Sequence, residues 1–375
     1  MRERSEAETR AHPCVLVLCL VAFLFALSSC PRAEGAATSA DVLSREIRTG
    51  KEVSEQIEKH WTRVTDPVLC ARLEMILDRL RPTLSRPLPY ELRLVDRPEP
   101  NAFALPGGIC YLTRGMLGFV RSDPELAGVV AHELTHADRR HGMIQMARNE
   151  RVSLLALAVA VASRGQAAAV LLANLGQMAV MNAYSRDLER EADAGALGML
   201  LQGGYDPVGM VTLLERLQEE QLKHPYVDPG IAQDHPDLTE RIRYVEEVLE
   251  EKGIRVARKG VLGLLRVRVS REGPEWTVRL DDRPWLRCPE APGAEAWSAR
   301  VARRLEEQMQ MELAPHEILL VGEGPSRSLR VGGKLLLASG ELPPLPTQTL
   351  DSLRETLVES LLEAQKKHPM GRFLQ

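Results

Sequence analysis

The stretch Ser122-Asp-Pro-Glu-Leu-Ala-Gly-Val-Val-Ala-His-Glu-Leu-Thr-His136 decides how this chain of 375 residues is interpreted. Ser122 is a typical helix N-cap, Pro124 suits the first helical turn, and Glu125 predicts a capping box with Ser122. Gly142 further along is a typical C-terminal stop. The sequence therefore predicts a helix with the motif HExxH well inside it.

Within this helix, two histidines and a glutamate form a pattern typical of zinc enzymes. His132 and His136 are four residues apart, a rotation of about 400°, so both imidazoles lie on one face and can share a zinc ion. Glu133 lies beside them, where it can take a proton from an attacking water. HExxH arises by chance on the order of once in a hundred chains of this length, so a third ligand has to decide.

The remaining histidines lack this spacing. His141 follows His132 by nine residues, about 900° of rotation, so we expect it on the opposite side of the helix and away from the metal. We expect surface positions for the others, His60, His224, His316 and His368.

A second helix downstream offers the third ligand. The segment Ser185-Arg-Asp-Leu-Glu-Arg-Glu-Ala-Asp-Ala-Gly195 places Glu189 and Asp193 four residues apart on one helical face. One carboxylate can bind the metal while the other orients a ligand histidine. A charged, solvated helix face accounts for the same pattern equally well, so these residues alone leave both interpretations open.

Five motifs together resemble the BepA-type zinc metallopeptidases, which are relatives of the HtpX membrane proteases and of the CAAX-prenyl-protein endopeptidases. The likeness covers about residues 41–250. The motifs are HELTH, SRDLEREAD, Gly204-Tyr-Asp-Pro207, Asn101-Ala-Phe-Ala-Leu-Pro-Gly-Gly108 and His235-Pro-Asp-Leu-Thr-Glu-Arg241.

The resemblance implies a ligand set. In the family the third ligand is the glutamate four residues before the aspartate, which selects Glu189 over Glu191. His132, His136 and Glu189 would then hold one Zn²⁺ per chain with Glu133 as the general base, and Asp193 would support a ligand histidine.

Two further residues are expected near this metal. The resemblance places His235 either as a fourth ligand that displaces water and silences the enzyme, or as a donor to the tetrahedral oxyanion. A loop histidine beside a helix start is the third interpretation. Arg241 is expected as a further partner of the oxyanion or of a carboxylate.

The segment Asn101, Ala102, Phe103 and Ala104 looks like the substrate-binding edge strand of the family. An extended peptide would add there as a further strand, although an ordinary hairpin has the same pattern. The implied function is a zinc metalloendopeptidase that hydrolyses misfolded or unassembled envelope proteins. A chaperone with a silenced zinc site and a scaffold with a structural zinc are the alternatives, and the intact Glu133 argues against both.

The N-terminus predicts a lipid anchor. The apolar run Cys14–Leu27 has the length of a signal-peptide h-region, and Leu27-Ser-Ser-Cys30 resembles a bacterial lipobox, so we expect lipidation of Cys30. The segment before this run has mixed charge, which leaves ordinary cleavage near Ala36 or an uncleaved anchor as alternatives. We expect the periplasmic face of a bacterial envelope, and Pro31 favours the outer membrane over the inner one.

The expected organisation is a signal peptide at 1–29, a lipidated tether at 30–40, a protease domain at 41–254 and an accessory domain at 255–375. The fold class is α+β, a mainly helical gluzincin domain with a small sheet, followed by a smaller C-terminal α/β domain whose partner is unknown. We expect strands at 261–270, 275–281, 317–321 and 328–337 and helices at 294–313 and 347–366 in that domain.

Composition excludes some functions and leaves others open. The net charge is −4 and aromatic residues make up 4% of the chain, with no basic stripe, so no nucleic-acid partner is expected. The apolar segments 152–162 and 167–180 are each too short to span a bilayer and are expected as buried helices beside the site. Cys70, Cys110 and Cys288 indicate no disulfide framework.

Overall fold

The computed structural model describes residues 39–145, 147–148, 184–223, 235, 237–343 and 348–368. The predicted signal peptide with Cys30, most of the tether, the apolar segments 152–162 and 167–180, and His224 lie outside the described residues. The chain divides into two compact units, 1–46 and 47–375, and the site lies in the second. The predicted domain boundaries stay predictions.

The region up to residue 251 is mainly helical with one small sheet. Its helices are α1 Ser39–Glu58, α2 Pro67–Leu80, α3 Arg114–Phe119, α4 Asp123–Asp138, α5 Arg186–Gln202, α6 Val208–Lys223 and α7 Leu238–Glu251. Its strands are β1 Glu91–Val95, β2 Ala102–Ala104 and β3 Ile109–Thr113.

Helix α4 carries the HExxH motif through the centre of this region. Ser122 caps it by accepting a hydrogen bond from the Glu125 backbone N–H at 3.3 Å. The predicted capping box is wrong, because the Glu125 carboxylate accepts from the Arg121 N–H at 2.7 Å and from Arg216 at 2.7 Å. The helix ends at Asp138, earlier than expected, because Arg140 adopts a positive φ of 61° that no α-helix continues through.

The small sheet lies against α4 and has the order β1-β3-β2, with β1 parallel and β2 antiparallel to β3. The outer edge of β1 is partly covered by a bridge between Arg63 and Val95. On the outer edge of β2, no strand pairs among the described residues. The predicted strand at 101–104 is therefore an edge strand.

Helix α5 packs closely on α4, and a glycine makes this approach feasible. A Cβ atom at Gly195 would lie only 2.5 Å from Cγ2 of Thr135 on α4, a distance that side chains do not tolerate. The glycine therefore brings the two backbones together, and the carboxylates of α5 come within reach of the histidines of α4.

The C-terminal region contains two antiparallel sheets packed with two long helices. Its elements are α8 Arg258–Leu262, β4 Val267–Glu272, β5 Glu275–Leu280, β6 Arg283–Pro289, α9 Ala294–Gln308, β7 Ile318–Val321, β8 Ser328–Val331, β9 Lys334–Ala338 and α10 Leu350–Lys367. The sheet orders are β4-β5-β6 and β7-β8-β9. Leu265, Leu286, Leu305, Leu337 and Leu357 are among the buried residues of one apolar core that both sheets and both helices share.

Two expectations for this region are wrong, and one strand was not expected. The predicted strand at 261–270 begins as helix α8, which Gly263 ends at a φ of 65°, and only then becomes β4. Strand β6 was not predicted at all. The predicted strand at 328–337 is a hairpin, because Gly332 and Gly333 both have positive φ and reverse the chain.

The fold class is the expected one, α+β, with a mainly helical region followed by a smaller C-terminal α/β region. Among the described residues, no helix combines the length and the apolar character that crossing a bilayer requires. Cys70, Cys110 and Cys288 are free thiols.

Candidate metal centre

Four side chains from three segments converge on one buried point. His132 and His136 come from α4, Glu189 comes from the first turn of α5, and His235 comes from the segment before α7. One ligand atom of each lies within 4.8 Å of the ligand atoms of all the others, and all four residues are buried. The predicted ligands are thus brought together, with His235 among them.

The separations within this cluster match those of a metal centre. His132 Nε2 lies 3.0 Å from His136 Nε2 and 3.3 Å from His235 Nδ1. Glu189 oxygens lie 3.4 Å from the Nε2 atoms of His132 and His136 and 2.9 Å from His235 Nδ1. Donors around a tetrahedral zinc ion are about 3.3 Å apart, and imidazole nitrogens with one carboxylate are the donors zinc prefers. The residues present fit zinc.

Charged side chains behind the four converging residues orient His132. Asp193 accepts from His132 Nδ1 at 3.0 Å, which in the neutral ring leaves Nε2 without a proton and directed to the metal position. Arg241 donates two hydrogen bonds to Asp193, at 2.9 and 2.7 Å, and its Nη1 lies 2.8 Å from Glu189. The structure therefore places Arg241 against the carboxylates of the site.

Glu189 and Asp193 each form an ion pair with Arg241, whereas Glu133 forms none with an arginine or lysine among the described residues. It is completely buried, and neither of its oxygens has a hydrogen-bond partner among the described residues. His235 Nε2 lies 3.5 Å from its Oε1. Burial raises the pKa of Glu133. A buried carboxyl group with free lone pairs is suited to accept a proton from a water molecule held in the site.

The electrostatic field of the cluster favours a bound cation. Burial and Arg241 lower the pKa of His132, but Asp193 and Glu189 outweigh them and raise it to about 9. Burial lowers the pKa of His136 well below the ordinary value, so this ring is neutral, as a metal ligand must be. Burial would raise the pKa of Glu189, but His235 and Arg241 outweigh burial and hold it well below its usual range.

His235 has its two ring nitrogens on two different partners. Nδ1 faces the metal donors at Glu189 and His132, and Nε2 faces Glu133. Its backbone carbonyl accepts from Arg241 at 3.4 Å. The interpretation of His235 as a remote loop histidine is not supported by this placement, whereas a ligand role and a donor role both fit it.

His141 lies against His136, and the expectation that it faces away from the metal ligands is wrong. Its Nδ1 is 2.9 Å from Nδ1 of His136, and it is completely buried. The helix has ended at Asp138 and Arg140 reverses the chain, so counting 100° per residue fails beyond that point. His141 is not among the four converging donors. No sequence signal marks the positive φ of Arg140, since it is not a glycine.

Tyr184 is a second residue that the sequence did not single out. Its ring stacks on His136 at 4.0 Å between centroids and lies 5.7 Å from the ring of His235. It lies two residues before the start of α5, so its position follows from the same close packing that brings in Glu189. A lone tyrosine between two motifs gives no spacing pattern that would indicate this contact.

Strand β2 directs the backbone groups of alternate residues to its outer edge, where the Ala102 N–H donates to Asn101 Oδ1 at 2.7 Å. Asn101 and Leu105 hydrogen-bond to β3 through Thr113 and Ile109, so Phe103 between them pairs with β3 as well. In an antiparallel ladder the alternate residues point the other way, which directs the backbone groups of Ala102 and Ala104 to the open edge. Because β2 contacts α4, this edge lies next to the HExxH helix.

A second buried charged cluster lies where the C-terminal region meets α6 and α7, and we call it the Arg258 cluster. Arg258 donates to Glu215 at 2.9 and 2.8 Å, to Glu246 at 2.6 Å and to Glu312 at 3.3 Å. His368 Nε2 lies 3.1 Å from Glu215. His368 is buried, so its predicted surface position is wrong, while His60 and His316 are exposed as expected.

The region that contains the site is similar to known metallopeptidases. Residues 68–249 match the model of peptidase family M48. The chain is 34% identical over 172 residues to the mitochondrial metalloendopeptidase OMA1 of Schizosaccharomyces pombe, which covers 45% of this chain and 49% of the relative. It is 28% identical over 224 residues to the beta-barrel assembly-enhancing protease of Escherichia coli, covering 57% of this chain and 46% of the relative. The chain thus spans about half the length of these relatives.

Proposed function

Because residues 68–249 belong to peptidase family M48, we propose that this chain is a zinc-dependent metalloendopeptidase that cleaves misfolded or unassembled proteins of a bacterial envelope. The observation that carries the proposal is the buried donor set of His132, His136, Glu189 and His235 beside the unpartnered carboxylate of Glu133. A structural metal site needs no such base.

The chemistry divides between the metal and the side chains around it. When bound, zinc polarises a peptide carbonyl and makes a water molecule more acidic. Glu133 accepts the proton of the attacking water as the new C–O bond forms, and then passes that proton to the nitrogen of the leaving amine as the C–N bond breaks. The raised pKa of Glu133 suits both halves of this transfer.

The position of His235 decides whether the proposed site is open. With Nδ1 turned to the metal donors, His235 completes a closed set of four ligands, and with Nε2 turned to the substrate it would donate to the oxyanion. Arg241 holds Asp193 and Glu189 in place in either state. This position of His235 favours a second candidate function, an envelope chaperone whose metal site stays latent.

The proposed substrate is an extended polypeptide. The outward carbonyl of Ala102 and the outward backbone groups of Ala104 would pair with it as an added strand, and the Ala102 N–H would exchange its bond to Asn101 Oδ1 for one to the substrate. Such pairing gives affinity through the main chain with little dependence on sequence. Such binding selects unfolded chains, because a folded protein does not offer a free strand of backbone groups. Misassembled envelope proteins are substrates of this kind.

The experiment compares one envelope β-barrel protein in its unfolded state and folded in detergent micelles, with unfolded casein as a general substrate. We expect cleavage of the unfolded forms, its loss on chelation of zinc, and its loss in Glu133→Gln with zinc still bound. Cleavage only by His235→Ala would establish the latent form. Stoichiometric zinc binding without cleavage by any variant would contradict the peptidase proposal and favour the chaperone.

The proposed membrane attachment is tested separately. Metabolic labelling with radioactive palmitate should mark the chain expressed in a bacterium that processes lipoproteins, and Cys30→Ser should abolish the label. Fractionation should then place the protein with the outer membrane. An unlabelled chain would overturn the anchor and leave the peptidase proposal untouched.

A further inference from the structure

The two metal-binding histidines of α4 are oriented by different chemical groups. His132 has Asp193 on its Nδ1 at 3.0 Å, whereas His136 has the imidazole of His141 on its Nδ1 at 2.9 Å. A carboxylate can only accept, so the proton position on His132 is settled at once. For the two imidazoles in contact, either ring could in principle be the donor.

The metal geometry removes this ambiguity. His136 has Nε2 in the converging donor set, and a neutral imidazole that binds a metal through Nε2 carries its proton on Nδ1. His136 must therefore donate from Nδ1, and His141 must accept at an unprotonated Nδ1. The proton of neutral His141 then resides on Nε2, which makes no hydrogen bond among the described residues and has the Glu191 carboxylate 3.5 Å away.

The surroundings hold this arrangement in place. His141 is completely buried, and the reversed chain at Arg140 fixes it beside α4. Tyr184 stacks on the ring of His136, so that ring is restrained across its face as well as at its Nδ1. Glu191 is half exposed and closes the chain of contacts at the surface.

We propose that His141 is a positioning residue that fixes the tautomer and the ring orientation of His136, with the negative charge of Glu191 favouring the proton on Nε2 of His141. The inference rests on the proposed zinc peptidase function and deepens it, since it concerns the affinity of the site for its metal. Groups that orient metal-binding histidines contribute about ten- to a hundredfold to metal affinity.

The experiment uses two substitutions of similar size at one buried position. In His141→Asn, the amide oxygen can replace Nδ1 as an acceptor, while His141→Leu fills the space without one. Competition with a chromophoric chelator measures zinc affinity for both, with the exposed His316→Ala as control. We expect His141→Leu to lose about ten- to a hundredfold in affinity, His141→Asn to stay within about threefold of the native chain, and the control to match it.

A spectroscopic measurement tests the same inference without any variant. Long-range ¹H–¹⁵N spectra of the zinc-loaded chain with ¹⁵N-labelled histidine should show His136 protonated at Nδ1 and His141 protonated at Nε2. In His141→Leu the His136 ring should lose the downfield Nδ1 proton of a strong hydrogen bond. A His141 ring protonated at Nδ1, or equal affinities for His141→Leu and the native chain, would overturn the inference.

Failure of the proposed zinc peptidase function can be distinguished from failure of the positioning role of His141. If the native chain binds no zinc, the proposed function fails, and the positioning role fails with it. If the native chain binds zinc and cleaves, while His141→Asn and His141→Leu lose affinity equally, only the hydrogen-bonding role of His141 is wrong. A Leu variant that does not fold leaves the spectrum of the native chain as the deciding result.

Discussion

Two buried charged clusters of this molecule look alike in composition but differ in how their hydrogen-bonding capacity is used. In the Arg258 cluster, every guanidinium nitrogen of Arg258 has a carboxylate partner, and Glu215 is completely buried between Arg258 and His368. At the metal centre, Glu133 is equally buried, yet neither of its oxygens has a hydrogen-bond partner among the described residues.

The difference separates a structural role from a chemical one. A buried polar group without a partner costs about 1–3 kcal/mol of folding free energy, and a charged one costs more. Such a cost persists where the group serves a purpose other than stability. The Arg258 cluster joins the C-terminal region to α6 and α7, whereas both oxygens of Glu133 keep their lone pairs available, as the proposed base role requires.

The largest expected change in stability comes from disrupting the Arg258 cluster. Arg258→Met should lower the free energy of unfolding by about 3–5 kcal/mol, because it leaves the Glu215 carboxylate buried without its cation. Urea denaturation of the zinc-free chain measures this loss. Zinc stoichiometry should stay unchanged, and a variant that loses zinc but not stability would contradict the assigned roles of the two clusters.

Zinc should stabilise the folded chain by binding at the metal centre, and this effect should not depend on the Arg258 cluster. At free zinc about 100 times the dissociation constant, we expect the free energy of unfolding to rise by about 2.7 kcal/mol. The same rise should occur in Arg258→Met, and none should occur in His136→Ala. Thermal denaturation with and without zinc provides the measurement, and stabilisation of His136→Ala would place the metal elsewhere.

Replacing a buried glutamate by glutamine should change the stability in opposite directions in the two clusters. Glu133→Gln replaces a buried carboxylate that has no hydrogen bond among the described residues, so the zinc-free chain should gain on the order of 1 kcal/mol of stability. Glu215→Gln removes the partner of Arg258 and should lose stability, with each variant serving as the control for the other. Equal losses in urea denaturation would show that Glu133 has a partner that the proposed base role does not allow.

The smallest effect is confined to acid pH. Burial would raise the pKa of Asp193, but Arg241 outweighs it and holds the pKa below the ordinary value of 3.8. A lowered folded-state pKa contributes stability above the unfolded-state value, and this stability is lost as pH falls through the folded-state value. The stability difference between the native chain and Asp193→Asn should therefore be full at pH 6 and shrink below about pH 4. A pH-independent difference would contradict the ion pair.

The helical spacing of the site could be predicted from the sequence because it is local. His132, Glu133 and His136 lie within one helix, and so do Glu189 and Asp193, so 100° per residue fixes which side chains share a face. The edge strand at Ala102–Ala104 also follows from a local pattern. The choice of Glu189 over Glu191 needed the family resemblance, because both lie on the same charged helix.

The contacts that depend on a break in regular structure could not be predicted. His141 comes next to His136 only because Arg140 adopts a positive φ, which an arginine in a sequence does not predict. His368 reaches Glu215 through the packing of two distant regions, 153 residues apart in sequence. In the C-terminal region, β6 and the hairpin of β8 and β9 were missed, since short strands with mixed polarity give weak alternation.

The most direct test of zinc-dependent cleavage with Glu133 as the base is to measure cleavage while zinc is titrated into chelator-stripped protein. We expect cleavage of unfolded casein to rise with bound zinc and to reach its plateau at one zinc per chain, while Glu133→Gln binds the same single zinc and cleaves at least about a hundredfold more slowly. Cleavage by the zinc-free chain, or cleavage by Glu133→Gln at the native rate, would contradict this expectation.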